Sequence, residues 1–320
     1  MTLLDHLRQT IPYADAELIA VLMTAPRRYK VFPIPKRTPG AFRVIAQPAP
    51  EVKLVQRVLV RDFVSKWPIH DAATAYRSGM SIRDHAQTHA RSRFLLKLDF
   101  SDFFPSITRE DVYRHAMEIG RMSEGDAKLL SWLVSWRNKA TGRISLSIGA
   151  PSSPAVSNSV MFLFDESMTA ACAKVGVNYT RYADDLAFST SSPGVLGNIE
   201  RLVGSQLEAL PYPRLRLNQK KTINVSTRDR RSLVGLVLTP DHQLSLGRSR
   251  KREISAMTHH FLVGRLTDDE IGTLRGILSF AWSIEPTFVQ ALAHKYGDEV
   301  FERLALPFRG QATGAPTKGM

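Results

Sequence analysis

Cysteine is nearly absent from this chain, since Cys172 is the only one among 320 residues. A single thiol excludes an internal disulfide and a zinc site built from cysteines, and it suits a reducing compartment. The chain also lacks any apolar run of about 18 residues, the length that crosses a membrane. Its start, Met1 to His6, has neither a basic head nor an apolar signal core. We therefore predict a cytoplasmic protein with no membrane partner.

Acidic residues are in deficit, because 30 Asp and Glu stand against 43 Lys and Arg, a net charge of +13. Such an excess predicts a polyanionic partner, since Lys and Arg gain affinity for phosphates by releasing counterions. A membrane surface would also explain the charge, but no segment favours it. Hydrophobic residues make up 43% of the chain, which is enough for a large core and two or three subdomains.

Two adjacent acids, Asp184 and Asp185, lie between the apolar, strand-like runs Val177 to Tyr182 and Leu186 to Thr190. The pattern predicts a hairpin with carboxylates at its tip. Neighbouring acids repel unless a cation neutralises them, so the pair points to a divalent metal of the phosphoryl-transfer kind. Such pairs are usually solvated turns or helix starts, and Asp268-Asp269 is predicted to be one.

A third acid, Asp99, lies in the nearly continuous apolar run Arg93 to Phe100, which is typical of a buried strand. A lone carboxylate in a central strand is costly unless it is bound. Hard oxygen ligands favour Mg²⁺ over zinc. The three acids together therefore predict a magnesium site.

Four segments in order resemble the successive motifs of reverse transcriptases: Leu98 to Ser106, Gly149 to Pro154, Tyr182 to Asp185 and Asn218 to Thr222. Within that superfamily the chain most resembles the bacterial retron reverse transcriptases, from about Tyr29 to Tyr296. Further retron-like segments are Phe42 to Pro48 and Leu246 to Gly297.

The chain departs from the retron pattern at three places. His85 stands where these enzymes usually have Asn in Asn-Ala-x-x-His, and Leu233 to Gly235 replaces Val-Thr-Gly. The usual Leu-Pro-Gln-Gly is Leu146 to Gly149 here, so Ile148 replaces a glutamine that helps to cover the incoming nucleotide. Loss of that amide predicts altered misincorporation with activity retained.

The resemblance implies an α+β, right-hand polymerase fold with fingers, a palm on a βαβ-containing antiparallel sheet, and a helical thumb. We place N-terminal helices and fingers in residues 1–98, the palm in 99–240 with inserted finger helices at about 109–150, the thumb in 241–305 and a disordered tail in 306–320. Pro39-Gly40 predicts a hairpin turn between Tyr29 to Ile34 and Ala41 to Gln47.

Periodicity and capping signals predict the helices, and apolar runs predict three late strands. The predicted helices are Thr2 to Arg8, Ala14 to Thr24, Glu51 to Lys66, Ser81 to Ala90, Arg109 to Ile119, Ser123 to Arg137, Pro154 to Ala173, Gly194 to Leu210, Arg248 to Val263, Asp268 to Ser283 and Pro286 to Lys295. The predicted strands lie near Leu215, near Ile223 and at Leu233 to Leu238.

The resemblance also implies roles for individual residues. Asp99 and Asp184 would hold two Mg²⁺ ions with the Phe100 carbonyl, and Asp185 would be a secondary ligand. Phe104 falls where an aromatic ring excludes the ribose 2′-hydroxyl, which implies dNTP use; a plain core aromatic is the alternative. The remaining implied nucleotide-binding residues are Lys36, Arg43, Asp102, Phe103, Ile148, Gly149, Lys220 and Lys221. Arg43 is favoured over Lys36 for the phosphates, whereas the sequence does not choose between Lys220 and Lys221.

Primer and RNA contacts are expected from residues with equally plausible structural roles. They are His85, His89, Leu233, Val234, Gly235, Arg248, Arg250, Lys251 and Arg252. The two histidines, four apart on a helix, could pair on a metal, but RNA contact or core packing fits better without a third ligand. Leu233 to Gly235 could be a plain strand, and the basic run could be a solvated face.

The implied function is an RNA-directed DNA polymerase that copies its own structured noncoding RNA from a guanosine 2′-hydroxyl. Its product would be a branched RNA–DNA hybrid acting in antiphage defence. No segment of the chain is recognisable as an effector, so the resemblance implies a separately encoded one. Alternatives are another bacterial reverse transcriptase, of the diversity-generating, group II-like or abortive-infection type, or a non-catalytic RNA-binding scaffold.

Overall fold

The computed structural model describes residues 1–36, 40 and 42–304. The chain divides into two compact units, one from Met1 to Ser226 and one beginning at Thr227. The predicted palm–thumb boundary at 240/241 stays a prediction. The predicted tail and part of the Pro39-Gly40 turn lie outside the described residues.

Helices of the first unit follow the predicted order closely. They are α1 (Leu3–Thr10), α2 (Asp15–Thr24), α3 (Pro50–Asp62), α4 (Ile82–Ala90), α5 (Phe103–Ser106), α6 (Arg109–Glu118), α7 (Glu124–Leu133), α8 (Ser153–Val160), α9 (Phe162–Lys174) and α10 (Ile199–Ala209). Side-chain caps explain several starts: Thr2, Ser81 and Thr108 each form a reciprocal capping box with an aspartate three residues later.

The central sheet of this unit has four antiparallel strands in the order β6-β7-β3-β8. All strands of the unit are β1 (Tyr29–Pro35), β2 (Phe42–Pro48), β3 (Phe94–Asp99), β4 (Trp136–Arg137), β5 (Ile144–Ser145), β6 (Asn178–Tyr182), β7 (Asp185–Thr190) and β8 (Ile223–Ser226). Strands β3 and β7 lie at the centre and bury Leu95, Leu98 and Phe188 completely or nearly so. Burial on both faces explains why their sequences are continuously apolar.

The α+β expectation is confirmed, with local corrections. The hairpin β1–β2 pairs Tyr29 with Pro48 through to Pro35 with Phe42. The helix predicted at Pro154 to Ala173 is interrupted at Met161, between α8 and α9. The helix predicted at Ser123 to Arg137 ends at Leu133, after which Trp136–Arg137 pairs as a strand. No strand forms at Leu215, where only an isolated bridge joins Leu217 to Phe100.

The second unit combines a small antiparallel sheet with helices. Its strands are β9 (Arg231–Leu233), β10 (Leu236–Leu238) and β11 (Leu244–Ser245), in the order β11-β10-β9. Its helices are α11 (Arg248–Leu262), α12 (Asp268–Ile284), α13 (Pro286–Tyr296) and α14 (Asp298–Arg303), the last of which was not predicted. Thr267 caps α12 together with Glu270, which confirms Asp268-Asp269 as a helix start. In the part of the chain that the structure describes, no helix is long and apolar enough to cross a membrane.

Candidate active site

Three acidic residues, Asp99, Asp184 and Asp185, lie where the central strands β3 and β7 adjoin the turn. Asp99 is the last residue of β3 and pairs directly with Asp185, the first residue of β7. Directly opposed residues of antiparallel strands carry their side chains on one face. Asp184 precedes β7 in the turn, and its carbonyl accepts a hydrogen bond from the Phe100 amide at 3.0 Å. The predicted hairpin and the predicted strand end therefore bring these acids together.

The electrostatics of the site differ between its acids, since the pKa values of Asp184 and Asp185 are both raised. Burial, followed by the charges of Asp184 and Asp99, raises the pKa of Asp185 to about 6. Burial also raises the pKa of Asp184, with a further contribution from Asp99, while Lys221 and Arg43 act in the opposite direction. Opposed like charges destabilise a strand pair. A bound cation would relieve this repulsion.

Lys221 is the one lysine of the Asn-Gln-Lys-Lys segment that contacts one of the three acids in the described structure. Its Nζ donates to Asp99 Oδ2 at 2.7 Å, whereas Lys220 is exposed. Asn218 fixes the same acid twice, through its backbone amide to the Asp99 carbonyl at 2.7 Å and through Nδ2 to Oδ1 at 3.4 Å. The structure therefore distinguishes Lys221 from Lys220, between which the sequence analysis did not choose.

The donor set suits a hard cation, because the site offers carboxylate oxygens and the pKa values of Asp184 and Asp185 are raised. Among the described residues, however, no three His, Cys, Asp or Glu side chains converge as a ready metal cluster. Lys221 also holds one oxygen of Asp99. This arrangement fits Mg²⁺ better than zinc, since Mg²⁺ binds through one or two carboxylates and completes its shell with water and substrate phosphates.

A cavity of about 380 Å³ lies in the same unit. Its walls include Phe104, Ile148 and Gly149, which were predicted, and Tyr76, which was not. Tyr76 is 54% exposed at a φ of 59°, and burial together with the Asp184 charge raises the pKa of its phenol. The cavity therefore has aromatic residues on its walls, and one of them, Tyr76, lies within electrostatic reach of the Asp184 carboxylate.

Polar side chains line the cavity as well. Gln47, Lys53 and Arg57 contribute to its surface, and the two cations are four residues apart on α3. In the described part of the chain, neither cation forms an ion pair with an acid. They are free to bind phosphate, and the sequence analysis missed both because isolated cations on a helix carry no signal.

Gly149 lines the cavity and lies directly against β2. Its φ is +116°, and an added Cβ would lie 3.1 Å from Ile45 Cγ2 and 3.2 Å from the Ala46 carbonyl oxygen. The Ala46 amide donates to the Ile148 carbonyl at 2.9 Å. A glycine is therefore required for this close approach.

The remaining predicted nucleotide residues lie on two segments. Lys36 follows β1 and Arg43 lies on β2, and both are exposed. Of these two cations, Arg43 lowers the pKa of both Asp184 and Tyr76 through its charge, which agrees with the preference for it. Asp102 is exposed at a φ of 46°, at the start of α5, and Phe103 is buried at 3% exposure.

Direct RNA contact by His85 and His89 is wrong, since both side chains are 0% exposed. His89 bonds to Ser189 Oγ and Thr180 Oγ1, each at 2.7 Å, and His85 Nδ1 lies 2.9 Å from Thr180 Oγ1. They form a buried polar cluster against the hairpin of β6 and β7. The alternative of core packing is the correct one.

The segment Leu233 to Leu238 is a hairpin and not one strand. Val234 and Gly235 both have positive φ, 45° and 83°, and turn the chain so that Leu233 pairs with Leu236. This is the backbone form of a tight type I′ turn. Leu233 is 1% exposed, so its side chain is unavailable to a primer, while Val234 and Gly235 form the accessible tip.

The basic start of α11 has a divided role. Lys251 bonds to Glu285 and lies over the Phe288 ring, and the Arg250 guanidinium lies 4.8 Å from the centre of the Phe280 ring. Both therefore stabilise the second unit. Arg248 and Arg252 are exposed.

A buried charge pair beneath the hairpin escaped the sequence analysis. Arg181 and Asp165 are both 0% exposed and joined at 2.6 Å. The signal available was a lone arginine inside an apolar strand, which requires a buried partner.

Comparisons with known proteins agree with this geometry. The family model described as reverse transcriptase (RNA-dependent DNA polymerase) matches residues 34–253. The Retron Ec83 reverse transcriptase of Escherichia coli is 40% identical over 299 residues, covering 92% of this chain and 96% of the relative. The Retron Ec86 reverse transcriptase of the same organism is 30% identical, covering 87% and 85%.

Among solved structures, apo telomerase from Candida Tropicalis is similar with a TM-score of 0.50 and 12% identity. The match covers 87% of this chain but 60% of the telomerase, so this chain spans well under two thirds of that protein. At this identity the likeness shows the fold alone, which is that of the reverse transcriptases.

Proposed function

The chain belongs to the retron reverse transcriptases, RNA-directed DNA polymerases, and from this premise we propose that it copies its own structured noncoding RNA into single-stranded DNA. Synthesis would start from a guanosine 2′-hydroxyl and leave a branched RNA–DNA product. The observation that carries the catalytic part is the pairing of Asp99 with Asp185 beside Asp184.

We propose that Asp99, Asp184 and Asp185, with the Phe100 carbonyl, hold two Mg²⁺ ions. When bound, these ions would supply Lewis-acid activation of the attacking hydroxyl and neutralise charge on the leaving pyrophosphate. The protein's own contribution is to place the carboxylates on one sheet edge and to hold Asp99 through Asn218. Lys221, 2.7 Å from Asp99, is positioned to give a proton to the departing pyrophosphate.

We further propose that the 380 Å³ cavity seats the incoming dNTP opposite its template nucleotide. Phe104 would exclude a 2′-hydroxyl, and Ile148 with Gly149 would cover the pocket. Arg43, Lys36 and the backbone amides of Asp102 and Phe103 would bind the triphosphate. Lys53 and Arg57, which also line the cavity, would supply charge for a further phosphate.

Nucleic acid along the second unit would meet the Val234-Gly235 tip and the exposed Arg248 and Arg252. Because lysine and arginine would contact the phosphates, recognition would depend on the shape of the RNA more than on the identity of its bases. The product is proposed to act in antiphage defence with a separately encoded effector, in the cytoplasm.

The test is to purify the protein from cells carrying its native flanking DNA and to examine the bound nucleic acid. RNase-resistant single-stranded DNA that shortens with debranching enzyme supports the proposal. The Asp184→Asn/Asp185→Asn variant should carry RNA without this DNA. DNA lacking a 2′ branch would indicate another bacterial reverse transcriptase, and bound RNA with no DNA from the parent would indicate a scaffold.

A further inference from the structure

Arg181 lies on β6, three residues before Asp184, and its side chain is completely buried. Nε donates to both oxygens of Asp165, at 2.9 and 3.1 Å, and Nη2 donates to Oδ2 at 2.6 Å. Asp165, on α9, also accepts from the Tyr179 hydroxyl at 2.8 Å. The pair is thus fully enclosed and fully hydrogen bonded.

Stability alone does not require such a pair. Removing two charges from water costs as much as their attraction returns, and apolar side chains of similar size serve the core equally well. The functional clue is Arg181 Nη1, the guanidinium nitrogen that does not bond to Asp165. Arg181 Nη1 donates to the Ala183 carbonyl at 3.1 Å and to Asn158 Oδ1 at 3.2 Å.

Ala183 is the residue that turns the chain into Asp184 and Asp185. Its φ of 57° is left-handed, which residues with a Cβ adopt only when their surroundings impose it. The Arg181 bond to its carbonyl supplies that constraint from beneath. The orientation of the turn decides where both acids lie relative to Asp99.

Asn158 extends the same cluster toward the cavity. Its Nδ2 donates to the Ala75 carbonyl at 2.8 Å, and the next residue is Tyr76, held at a φ of 59° on the cavity wall. The main chain of Arg181 joins the same segment, since its amide donates to the Ala72 carbonyl at 2.7 Å and its carbonyl accepts from the Thr74 amide at 2.9 Å.

We propose that Arg181 is a positioning residue for polymerisation: neutralised by Asp165, it fixes the catalytic turn through Ala183 and the cavity wall through Asn158. One buried guanidinium therefore sets the relative placement of the carboxylates and Tyr76. The inference rests on the polymerase activity and concerns no additional ligand.

Two variants separate positioning from stability. Asp165→Leu/Arg181→Met replaces both charges with apolar side chains, so folding should survive while the bond to Ala183 is lost. We expect a folded protein whose thermal midpoint is modestly lowered because the buried Tyr179 hydroxyl loses its acceptor. The rate of nucleotide addition should fall by about 10- to 100-fold, the scale of small misplacements of reacting groups. Arg181→Lys keeps a positive charge beside Asp165, but a lysine cannot bond to Asp165 and to the Ala183 carbonyl at the same time. This variant should show the same loss of rate.

Asn158→Ala removes the branch toward Tyr76. It should raise the KM for dNTP by about 3- to 10-fold with less change in kcat, whereas the Arg181 variants lower kcat with less change in KM. The control is Glu124→Gln/Lys128→Met, which removes an exposed ion pair on α7 and should leave both constants unchanged.

A folded Asp165→Leu/Arg181→Met enzyme with the parent's kcat would overturn the inference. If that variant does not fold, Arg181→Lys decides in the same way: parental kcat overturns the inference and a folded, slow enzyme supports it. An inactive parent would instead contradict the polymerase function, so the two failures are distinguishable.

Discussion

The ammonium nitrogen of Lys221 lies 2.7 Å from Oδ2 of Asp99, although the two residues are 122 positions apart in the chain. The Lys221 side chain is 55% exposed while that of Asp99 is 7% exposed, so the contact joins an exposed cation to a buried acid. The neighbouring Lys220 makes no such contact among the described residues.

Replacing Lys221 should therefore damage catalysis far more than replacing Lys220. Lys221→Ala is expected to lower kcat at least about tenfold, because the group placed to protonate pyrophosphate is lost. Lys220→Ala is the matched control. It should change kcat by less than about threefold, because an exposed cation without a bonded partner contributes little. Single-turnover incorporation measures both, and equal effects would show that the Asp99 contact has no catalytic role.

Phe104 on the cavity wall should set sugar selectivity. Phe104→Ala opens space beside the nucleotide, so the preference for dNTP over NTP is expected to fall about 10- to 200-fold, the range for a changed steric fit. Phe104→Tyr retains the ring and serves as the control. The ratio of kcat/KM for the two nucleotide types is the measurement, and an unchanged ratio in Phe104→Ala would leave Phe104 as a core aromatic.

Ile148 should influence accuracy. Its side chain lines the cavity while its carbonyl holds the Ala46 amide, so substitution alters the cover without removing the backbone anchor. Ile148→Gln restores a hydrogen-bonding amide and should change the misincorporation frequency with activity retained. Ile148→Val is the control, and parental fidelity in Ile148→Gln would refute the expectation.

Acid should weaken the first unit through its buried histidines. Burial lowers the pKa of His85 and His89 to about 3 and that of His115 to about 4. Because the unfolded chain takes up these protons near pH 6.5, it binds more protons than the folded chain between that pH and about 4. Stability is therefore complete above pH 6.5 and falls by up to about 1.4 kcal/mol per histidine for each pH unit below it.

The free energy of unfolding, measured by denaturant titration from pH 7 to about pH 4.5, tests this. His89→Gln should reduce the dependence of the unfolding free energy on pH, since glutamine can bond to Ser189 and Thr180 without taking up a proton. His294→Gln, at an exposed position, should not change it. Because the raised pKa values of Asp184 and Asp185 act in the opposite sense over part of this range, the comparison between parent and variant decides: an unchanged slope in His89→Gln would contradict the burial of a neutral His89.

The sequence predicted the parts of the fold that depend on local signals. Apolar strands ending in acids, helix caps at Ser123 and Thr267, and motif order were enough to predict most helices and the meeting of Asp99 with Asp185. It failed where different structures share one pattern. A histidine pair four residues apart is compatible with a buried core as well as with an RNA-binding surface. The tight turn at Val234 was not predicted because valine rarely adopts a positive φ.

Other features depend on distances that no local pattern contains. Arg181 meets Asp165 only after α9 packs beneath β6, and Tyr76 reaches the cavity through an irregular segment. Lys53 and Arg57 became recognisable only when the fold placed them on one wall.

The central claim is that Asp99, Asp184 and Asp185 form the site of RNA-directed DNA synthesis. The most direct measurement is dNTP incorporation by the purified protein on a primed RNA template with Mg²⁺, comparing Asp184→Asn/Asp185→Asn with Asp268→Asn/Asp269→Asn. The second pair is also two adjacent aspartates, but it begins helix α12. We predict template-dependent synthesis that chelator and the first substitution abolish and the second leaves intact. Synthesis that survives Asp184→Asn/Asp185→Asn would contradict the account.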